Sequence, residues 1–354
     1  MKLLSVVGAR PEFIQAMPVS QLLRARHAEV LVHTGQHYDY RMSQLFFDEL
    51  PIPTPHYNLA IGSGSHAQQT AEILTRLEPI LRVEQPDAVI VRGDTNSTLG
   101  AALTASKLHL PLIHIEAGER SFNKAMPEEI NRLMVDAIAD CHCCVSQKAV
   151  QQLAKEGKVA SVHWVGDVML DTLRQMLPMT TARVALLDQL AVNRGEYGLL
   201  TIHRATNVEN PERLRQILEA FNQLDEPIVF PVHPRTRQAI TALAMKLGDH
   251  IRLIEPVGYI DMLMLAANAR IIATDSGGLQ REAFYLLTPC LTLRDETEWT
   301  ETVSTGWNRL VGADKSAILT AWRNFATPPA PPPLLGDGTA AQRIVEILEE
   351  TFGT

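Results

Sequence analysis

Between His114 and Arg132 the sequence reads HIEAGERSFNKAMPEEINR, which sets glutamates and two arginines between an apolar run and an amphipathic one. Carboxylates at a strand end are suited to proton transfer and to stabilising positive charge on a substrate. Glu116 leaves the apolar strand 111–115 at its C-terminal end, the edge where open α/β sheets bind ligands. Glu128 lies two residues before Ile130, about 200° round the helical wheel at about 100° per residue. It is therefore expected to point away from Ile130, Leu133, Met134, Ala137 and Ile138, the stripe expected to pack on the sheet. Asp94, in Arg92-Gly-Asp-Thr95, leaves another strand at that edge, as do Arg10 in Gly8-Ala-Arg-Pro-Glu12 and His37 in Thr34-Gly-Gln-His37. The bland alternative is that Glu128 complements the helix dipole and Glu116 pairs with Arg120.

A second set of residues is suited to anions. Asp275-Ser-Gly-Gly278 joins an apolar strand to a helix with the core stripe Leu279, Ala283 and Leu286, so backbone N–H groups around Ser276, Gly277 and Gly278 are expected to face a diphosphate. Glu282, one turn on, is placed to accept from two ribose hydroxyls; the alternative is a tight structural turn with Glu282 on the surface. His203 and Arg204 follow a strand directly, which suits cations facing a diphosphate, unless the histidine is a satisfied buried one. His233 sits between prolines and is ambiguous, and Arg294, in Arg294-Asp-Glu-Thr-Glu298, follows the last long strand. Cys141, Cys143 and Cys144 crowd one short run with no second cluster at ligand spacing, so they read as buried strand residues rather than a zinc site.

Strands and helices alternate from the start. Lys2–Val7 reads as the first strand and Pro11–Arg26 as a helix; Ala28–His33, Ala88–Val91, 111–115, the cysteine run and Ser161–Val165 follow as strands, with helices at about 38–50, 66–83, 95–107, 127–139 and 147–156. The second half repeats the pattern, with strands near Tyr197–Ile202, Ile228–Val232, Ile251–Glu255, Ala269–Thr274 and Cys290–Leu293. Such alternation implies parallel, doubly wound sheets. The expectation is an α/β chain of two Rossmann-like domains facing across a cleft, the GT-B fold. Residues 1–168 would carry the catalytic carboxylates and 169–335 would bind a nucleotide diphosphate. A last helix in 336–354, after the stiff Pro328–Pro333 connector, would pack back on the first domain.

At 354 residues two domains are the natural expectation. A net charge of −8 provides no basic footprint for nucleic acid or an anionic membrane, so local groups must hold any phosphate. No apolar run reaches membrane-spanning length, and the start reads as a strand rather than a signal peptide, so a cytoplasmic protein is expected. Neither half carries G-x-G-x-x-G after its first strand, so no nicotinamide cofactor is indicated.

Nine motifs in order, GARPE (8–12), TGQH (34–37), RGDT (92–95), HIEAGERS (114–121), PEEINR (127–132), IHR (202–204), PVHP (231–234), DSGGLQREA (275–283) and RDETE (294–298), resemble the non-hydrolysing UDP-N-acetylglucosamine 2-epimerase family over nearly the whole chain. The resemblance implies a GT-B-fold isomerase, a homodimer without metal or redox cofactor, that interconverts UDP-GlcNAc and UDP-ManNAc through elimination of UDP and its re-addition. Residue by residue it makes Asp94, Glu116 and Glu128 the catalytic carboxylates, His203 the catalytic histidine, and Arg10, Ser276, Gly277, Gly278 and Glu282 the UDP-binding positions. Arg132, Arg204, His233 and Arg294 are expected to join the UDP-sugar contacts. Gln15 stands where familiar bacterial members have lysine, Thr206 where they often have glutamate, and Trp299 where they have arginine; with the compact 114–128 spacing and Gly62-Ser-Gly-Ser-His66, these features resemble a branch that epimerises UDP-2,3-diacetamido-2,3-dideoxy-glucuronic acid. A GT-B glycosyltransferase and a non-catalytic UDP-sugar sensor are the rival readings.

Overall fold

The structure, a computed structural model, describes residues 1–35 and 49–353. His37, and nearly all of the helix expected at 38–50, lie outside the described residues. The chain divides into two compact units, Met1–Arg174 with Pro333–Thr354, and Gln175–Pro332. The division falls at Arg174, within a helix, and not at the 168/169 crossing expected from sequence. The reason is that Val168 packs into a core of the first unit with Val165 and Ile344.

The first unit is a seven-stranded parallel sheet ordered β3-β2-β1-β4-β5-β6-β7. Its strands are β1 (Lys2–Val7), β2 (Ala28–His33), β3 (Tyr57–Asn58), β4 (Ala88–Arg92), β5 (Leu112–Ala117), β6 (Cys141–Cys144) and β7 (Val162–Trp164). Helices α1 (Arg10–Arg26), α2 (His66–Glu84), α3 (Asn96–Lys107), α4 (Pro127–Ile138), α5 (Gln147–Lys155) and α6 (Val168–Met176) alternate with them. Successive side chains of a strand serve opposite faces. Leu4, Val6, Val89 and Val91 therefore meet Ile73, Leu77 and Ala101 of α2 and α3 on one face. Leu3, Ala88, Ile90, Cys141 and Cys143 meet Val19 and Leu23 of α1 on the other. All four cysteines are buried and free.

The second unit repeats the winding with six strands ordered β10-β9-β8-β11-β12-β13. They are β8 (Gly198–Thr201), β9 (Ile228–Pro231), β10 (Ile251–Ile254), β11 (Ile271–Thr274), β12 (Cys290–Thr292) and β13 (Asn308–Leu310). The helices are α7 (Ala185–Gln189), α8 (Ala205–Val208), α9 (Pro211–Asn222), α10 (Pro234–Ala242), α11 (Tyr259–Asn268), α12 (Gly277–Tyr285), α13 (Thr300–Ser304) and α14 (Lys315–Arg323). Leu200, Phe230 and Ala273 pack with Leu214, Phe221 and Trp322 on one face, and Leu199, Val229 and Ile272 with Met264, Leu265 and Leu279 on the other. The final helix, α15 (Ala340–Phe352), puts Ile344 and Leu348 into the first unit's core beside Val19 and Leu23. Among the described residues no helix is long and apolar enough to cross a membrane.

One element faces the opposite way from the sequence expectation. The buried side of α4 is polar, made by Glu129, Asn131, Arg132 and Asp136 around Val135, whereas Ile130 and Met134 are 40% and 42% exposed. Partners on other elements neutralise the inward charges, and that outweighs the apolar stripe. Glu128, Arg132 and Asp136, four residues apart, form one ridge along the helix.

Candidate active site

In the first unit the strand order reverses between β1 and β4, so their C-terminal ends open the crevice in which doubly wound sheets take ligands. A side chain at Gly8, just past β1, would collide with Ser97 Oγ and Thr34 Oγ1, so only glycine lets this turn pass the start of α3. Glu12, the third residue of α1, accepts from the N–H groups of Gly8 at 2.5 Å and Ala9 at 2.9 Å, and from Thr95 Oγ1 at 2.5 Å and Thr98 Oγ1 at 3.1 Å. It locks the starts of α1 and α3 together. Burial pushes its carboxyl above the ordinary range against the pull of those donors. Arg10 is half-buried at the first position of α1.

Asp94, past β4, receives Arg132 Nη2 at 2.6 Å, and its carbonyl accepts from the Asn131 amide at 2.8 Å. Arg132 Nη1 meets Glu129 at 2.9 Å, and Glu129 accepts the N–H groups of Ser121 and Phe122, each at 2.9 Å. With Arg132 only 5% exposed and both its outer nitrogens on carboxylates, it positions Asp94 and the 121–122 turn. Arg132, expected from sequence among the UDP-sugar contacts, thus spends both outer nitrogens on protein carboxylates.

Glu116 sits at a β-bulge. The register between β5 and β6 runs Ile115 to Cys143 and then Ala117 to Cys144, which leaves Glu116 as the extra residue. Its φ of +70° is left-handed, a conformation that costs a residue with a side chain about 1–2 kcal/mol. Bulges re-aim side chains next to active sites, and here the beneficiary is a carboxylate. Gln15 Nε2, from α1, donates to Glu116 Oε2. Arg120 binds Asp136 at 2.6 Å and Glu156 at 2.6 Å, which disposes of the alternative that Glu116 pairs with it.

Below this edge His114 is fully buried, its Nδ1 2.6 Å from Asp136 and its Nε2 2.8 Å from the Gly93 carbonyl. Burial opposes its charge, but Asp136 and that carbonyl outweigh it and raise its pKa. Asp136 shows the converse: burial works against ionisation, yet His114 and Arg120 hold it down at about 2. The floor under Asp94 and Glu116 is thus an internal ion network. Glu128 is half-buried in the first turn of α4, on the same ridge as Arg132 and Asp136.

The second unit reverses its strand order between β8 and β11. Asp275, past β11, is fully buried and accepts from the N–H groups of His203 at 3.0 Å and Arg204 at 3.0 Å, and from the Asn207 amide at 3.1 Å. His203 Nδ1 lies 3.1 Å from Asp275 Oδ1, an orientation that gives Nε2 the chemistry of the ring. Burial would raise the Asp275 carboxyl, but His203 and the N–H donors hold it below the ordinary range. Arg204 donates from Nε to the Asp275 carbonyl at 3.1 Å. Asp275 therefore clamps the His203-Arg204 turn across the switch point.

The N–H groups at the start of α12 are narrower than the sequence implied. That of Ser276 goes to Thr274 Oγ1 at 2.9 Å, and that of Leu279 goes to Ser276 Oγ at 3.3 Å. Gly277 and Gly278 keep the first-turn N–H groups that a helix cannot satisfy internally. A side chain at Gly277 would press on Glu298 Oε1 at 3.1 Å and Trp299 Nε1 at 3.3 Å. Glu282 is buried on this helix and is no surface residue. His233 is exposed and caps α10, accepting the Arg235 N–H at 3.3 Å. Arg294 is 5% exposed and paired with Glu298 at 2.9 Å. It also lines a cavity of about 470 Å³ with Glu212, Arg213, Asp295 and Asp314, whose three acids make poor surroundings for a diphosphate.

Two unlike edges, one of strand-end carboxylates and one of glycine N–H groups beside an oriented histidine, accord with a nucleotide-sugar enzyme. A family model described as UDP-N-acetylglucosamine 2-epimerase matches residues 21–349. The chain belongs to the UDP-N-acetylglucosamine 2-epimerase family.

It is 47% identical to a Methanococcus maripaludis protein named UDP-N-acetylglucosamine 2-epimerase homolog, over 98% of this chain and 99% of that one. It is 44% identical to the UDP-2,3-diacetamido-2,3-dideoxy-D-glucuronate 2-epimerase of Pseudomonas aeruginosa, over 98% and 99%. The crystal structure of the Methanocaldococcus jannaschii UDP-GlcNAc 2-epimerase in complex with UDP-GlcNAc and UDP matches it with a TM-score of 0.93 at 41% identity, over 99% of this chain and 100% of that one. Two doubly wound parallel units and these neighbours make the fold of this epimerase family member GT-B-like.

Sequence reasoning missed Glu12, Asp136 and the clamping role of Asp275, and it noted Gln15 only as a departure from lysine, without its contact to Glu116. Only Glu12 carried a local signal, as an acid at the third helical position, where a capping glutamate reaches back to the N-terminal turn.

Proposed function

We propose that the chain is a non-hydrolysing UDP-N-acetylglucosamine 2-epimerase that interconverts UDP-GlcNAc and UDP-ManNAc for cell-surface polysaccharide precursors, working as a cytoplasmic homodimer. The observation that carries the reading is the pairing of chemistries: Asp94 and Glu116 leave strand ends at the ligand edge of one doubly wound unit, with Glu128 in the first turn of the helix after β5, and the other unit has His203 held by Asp275 beside the N–H groups of Gly277 and Gly278. The C2 proton of the sugar is not acidic, having no neighbouring carbonyl. Breaking the C1–O bond puts positive charge at C1 and makes that proton removable, so UDP leaves with the bond's electron pair and a 2-acetamidoglucal forms. Protonation of C2 on the opposite face and return of UDP to C1 complete the inversion. No metal or redox cofactor is needed to balance these steps.

In this reading Asp94, Glu116 and Glu128 handle the proton and the charge at C1, and His203 acts as an acid or base at the departing diphosphate. Arg10, Arg204, His233, Ser276, Gly277 and Gly278 hold the phosphates, and Glu282 accepts from the ribose. Arg132 and Arg294 act indirectly, through Asp94 and Glu298. The outward apolar face of α4 supports the homodimer as a surface for a second copy. The test is epimerisation of UDP-GlcNAc in D₂O without an acceptor. Deuterium must enter C2 of the product; unchanged sugar, or product with ordinary hydrogen at C2, sinks the proposal. UDP-2,3-diacetamido-2,3-dideoxy-glucuronic acid is the second candidate substrate, favoured by the 44% identity to the enzyme named for it, and a side-by-side assay of the two sugars decides.

A further inference from the structure

Gln15 is an odd residue to bury in α1. Its side chain is 2% exposed, its Oε1 has no hydrogen-bond partner among the described residues, and Glu116 is the partner of its Nε2. Leaving an amide oxygen without a donor is costly in the interior, so the amide is held for what its other end does. That end donates to a carboxylate on the one β5 residue pushed out of register, with φ at +70°. The bulge aims Glu116, but backbone geometry alone does not fix the torsions of a glutamate. We propose that Gln15 is a positioning residue: its amide N–H fixes the Glu116 carboxylate in one rotamer and keeps it ionised, ready to accept a proton or to stabilise positive charge on the substrate.

The physics gives a sign. A donor favours the charged form of a carboxylate, a full positive charge favours it more, an apolar neighbour gives nothing, and a second carboxylate disfavours it. Activity that needs ionised Glu116 falls away at low pH along an acid limb. Its midpoint should rise in the order Gln15→Lys, wild type, Gln15→Leu, Gln15→Glu. The other ionisable groups on the described elements around Glu116, among them Arg10 and Glu12 on α1, Arg92 and Asp94 at the end of β4, His114 on β5, His142 on β6, and Glu128, Glu129, Arg132 and Asp136 on α4, are the same in every variant. Differences between variants therefore isolate position 15.

The inference rests on the epimerase reading, so the assay is epimerisation of UDP-GlcNAc, and of the diacetamido-uronic sugar, by the full chain between pH 5 and 9. Gln15→Leu should lower kcat about 10-fold or more with KM changed less than about 3-fold, because a charge-assisted hydrogen bond is lost from the reacting group and not from substrate binding. Its acid limb should move up by about one pH unit. If the leucine variant does not fold, Gln15→Lys and Gln15→Glu still carry the test, since they must move the limb in opposite directions. Acid limbs that superimpose on wild type, with kcat reduced or not, overturn the role of Gln15. A wild-type chain that leaves C2 of both sugars unchanged overturns the epimerase reading and the role of Gln15 with it.

Discussion

At the scale of single residues, the first unit's ligand edge is made by departures from regular structure. Glu116 occupies a left-handed position where glycine would be unstrained. The ordinary order, in which alanine is the more stabilising residue, should therefore invert: Glu116→Gly should be more stable than Glu116→Ala by about 1 kcal/mol, and both should lose epimerisation. Urea unfolding of the two variants measures the difference, and an alanine variant equal to or better than glycine would remove the argument for strain. The position of Glu116 could be read in the sequence, because strand-end carboxylates of α/β chains fall at the ligand edge. Its bulge could not, since nothing in His114-Ile-Glu-Ala117 announces the extra residue.

At the scale of elements, the alternation of strands and helices was legible because each strand is a short apolar run. What was not legible was the facing of α4. Window periodicity favours Ile130 and Met134 as the buried stripe, but Asp94, His114 and Arg120, which pay the desolvation of Arg132 and Asp136, lie on other elements and in no shared window. The same kind of non-local contact holds α15, where Asp171 of α6 accepts the Ala340 and Ala341 N–H groups at 3.2 and 2.9 Å. Burial raises this carboxyl to about 6, from 3.8, despite the two donors. A folded-state pKa above the unfolded one means stabilisation that is full below about pH 4 and lost as pH rises through about 6. Relative to Asp171→Asn, the wild type should therefore gain about 2 kcal/mol between pH 7.5 and pH 4.5. Denaturant midpoints at the two pH values test this; parallel behaviour of the two proteins would show that the carboxyl ionises freely in the fold.

At the scale of the whole molecule, the two units differ in continuity. Residues 175–332 form one unbroken segment with hydrophobic clusters on both sheet faces. The other unit is interrupted, and Ile344 and Leu348 reach its core only through the last helix. Residues 175–332 made alone should unfold cooperatively in urea. Residues 1–174 made alone should not, because removing two fully buried aliphatic side chains costs about 4–10 kcal/mol, comparable to the stability of a domain. Adding 333–354 as a peptide should restore a cooperative transition to 1–174. A stable 1–174 fragment would show that α15 is an accessory to that core.

The late arrival of α15 has a meaning for the chain as it is made. A ribosome adding about 5–20 residues per second takes roughly 10–30 s to travel from the end of the first segment to the helix that completes it. Throughout that interval Val19 and Leu23 of α1, beside which Ile344 and Leu348 will pack, lack the cover of α15. The inserted unit can fold in the meantime, but the earlier one must wait. Slow codons placed between 175 and 332 would lengthen that interval.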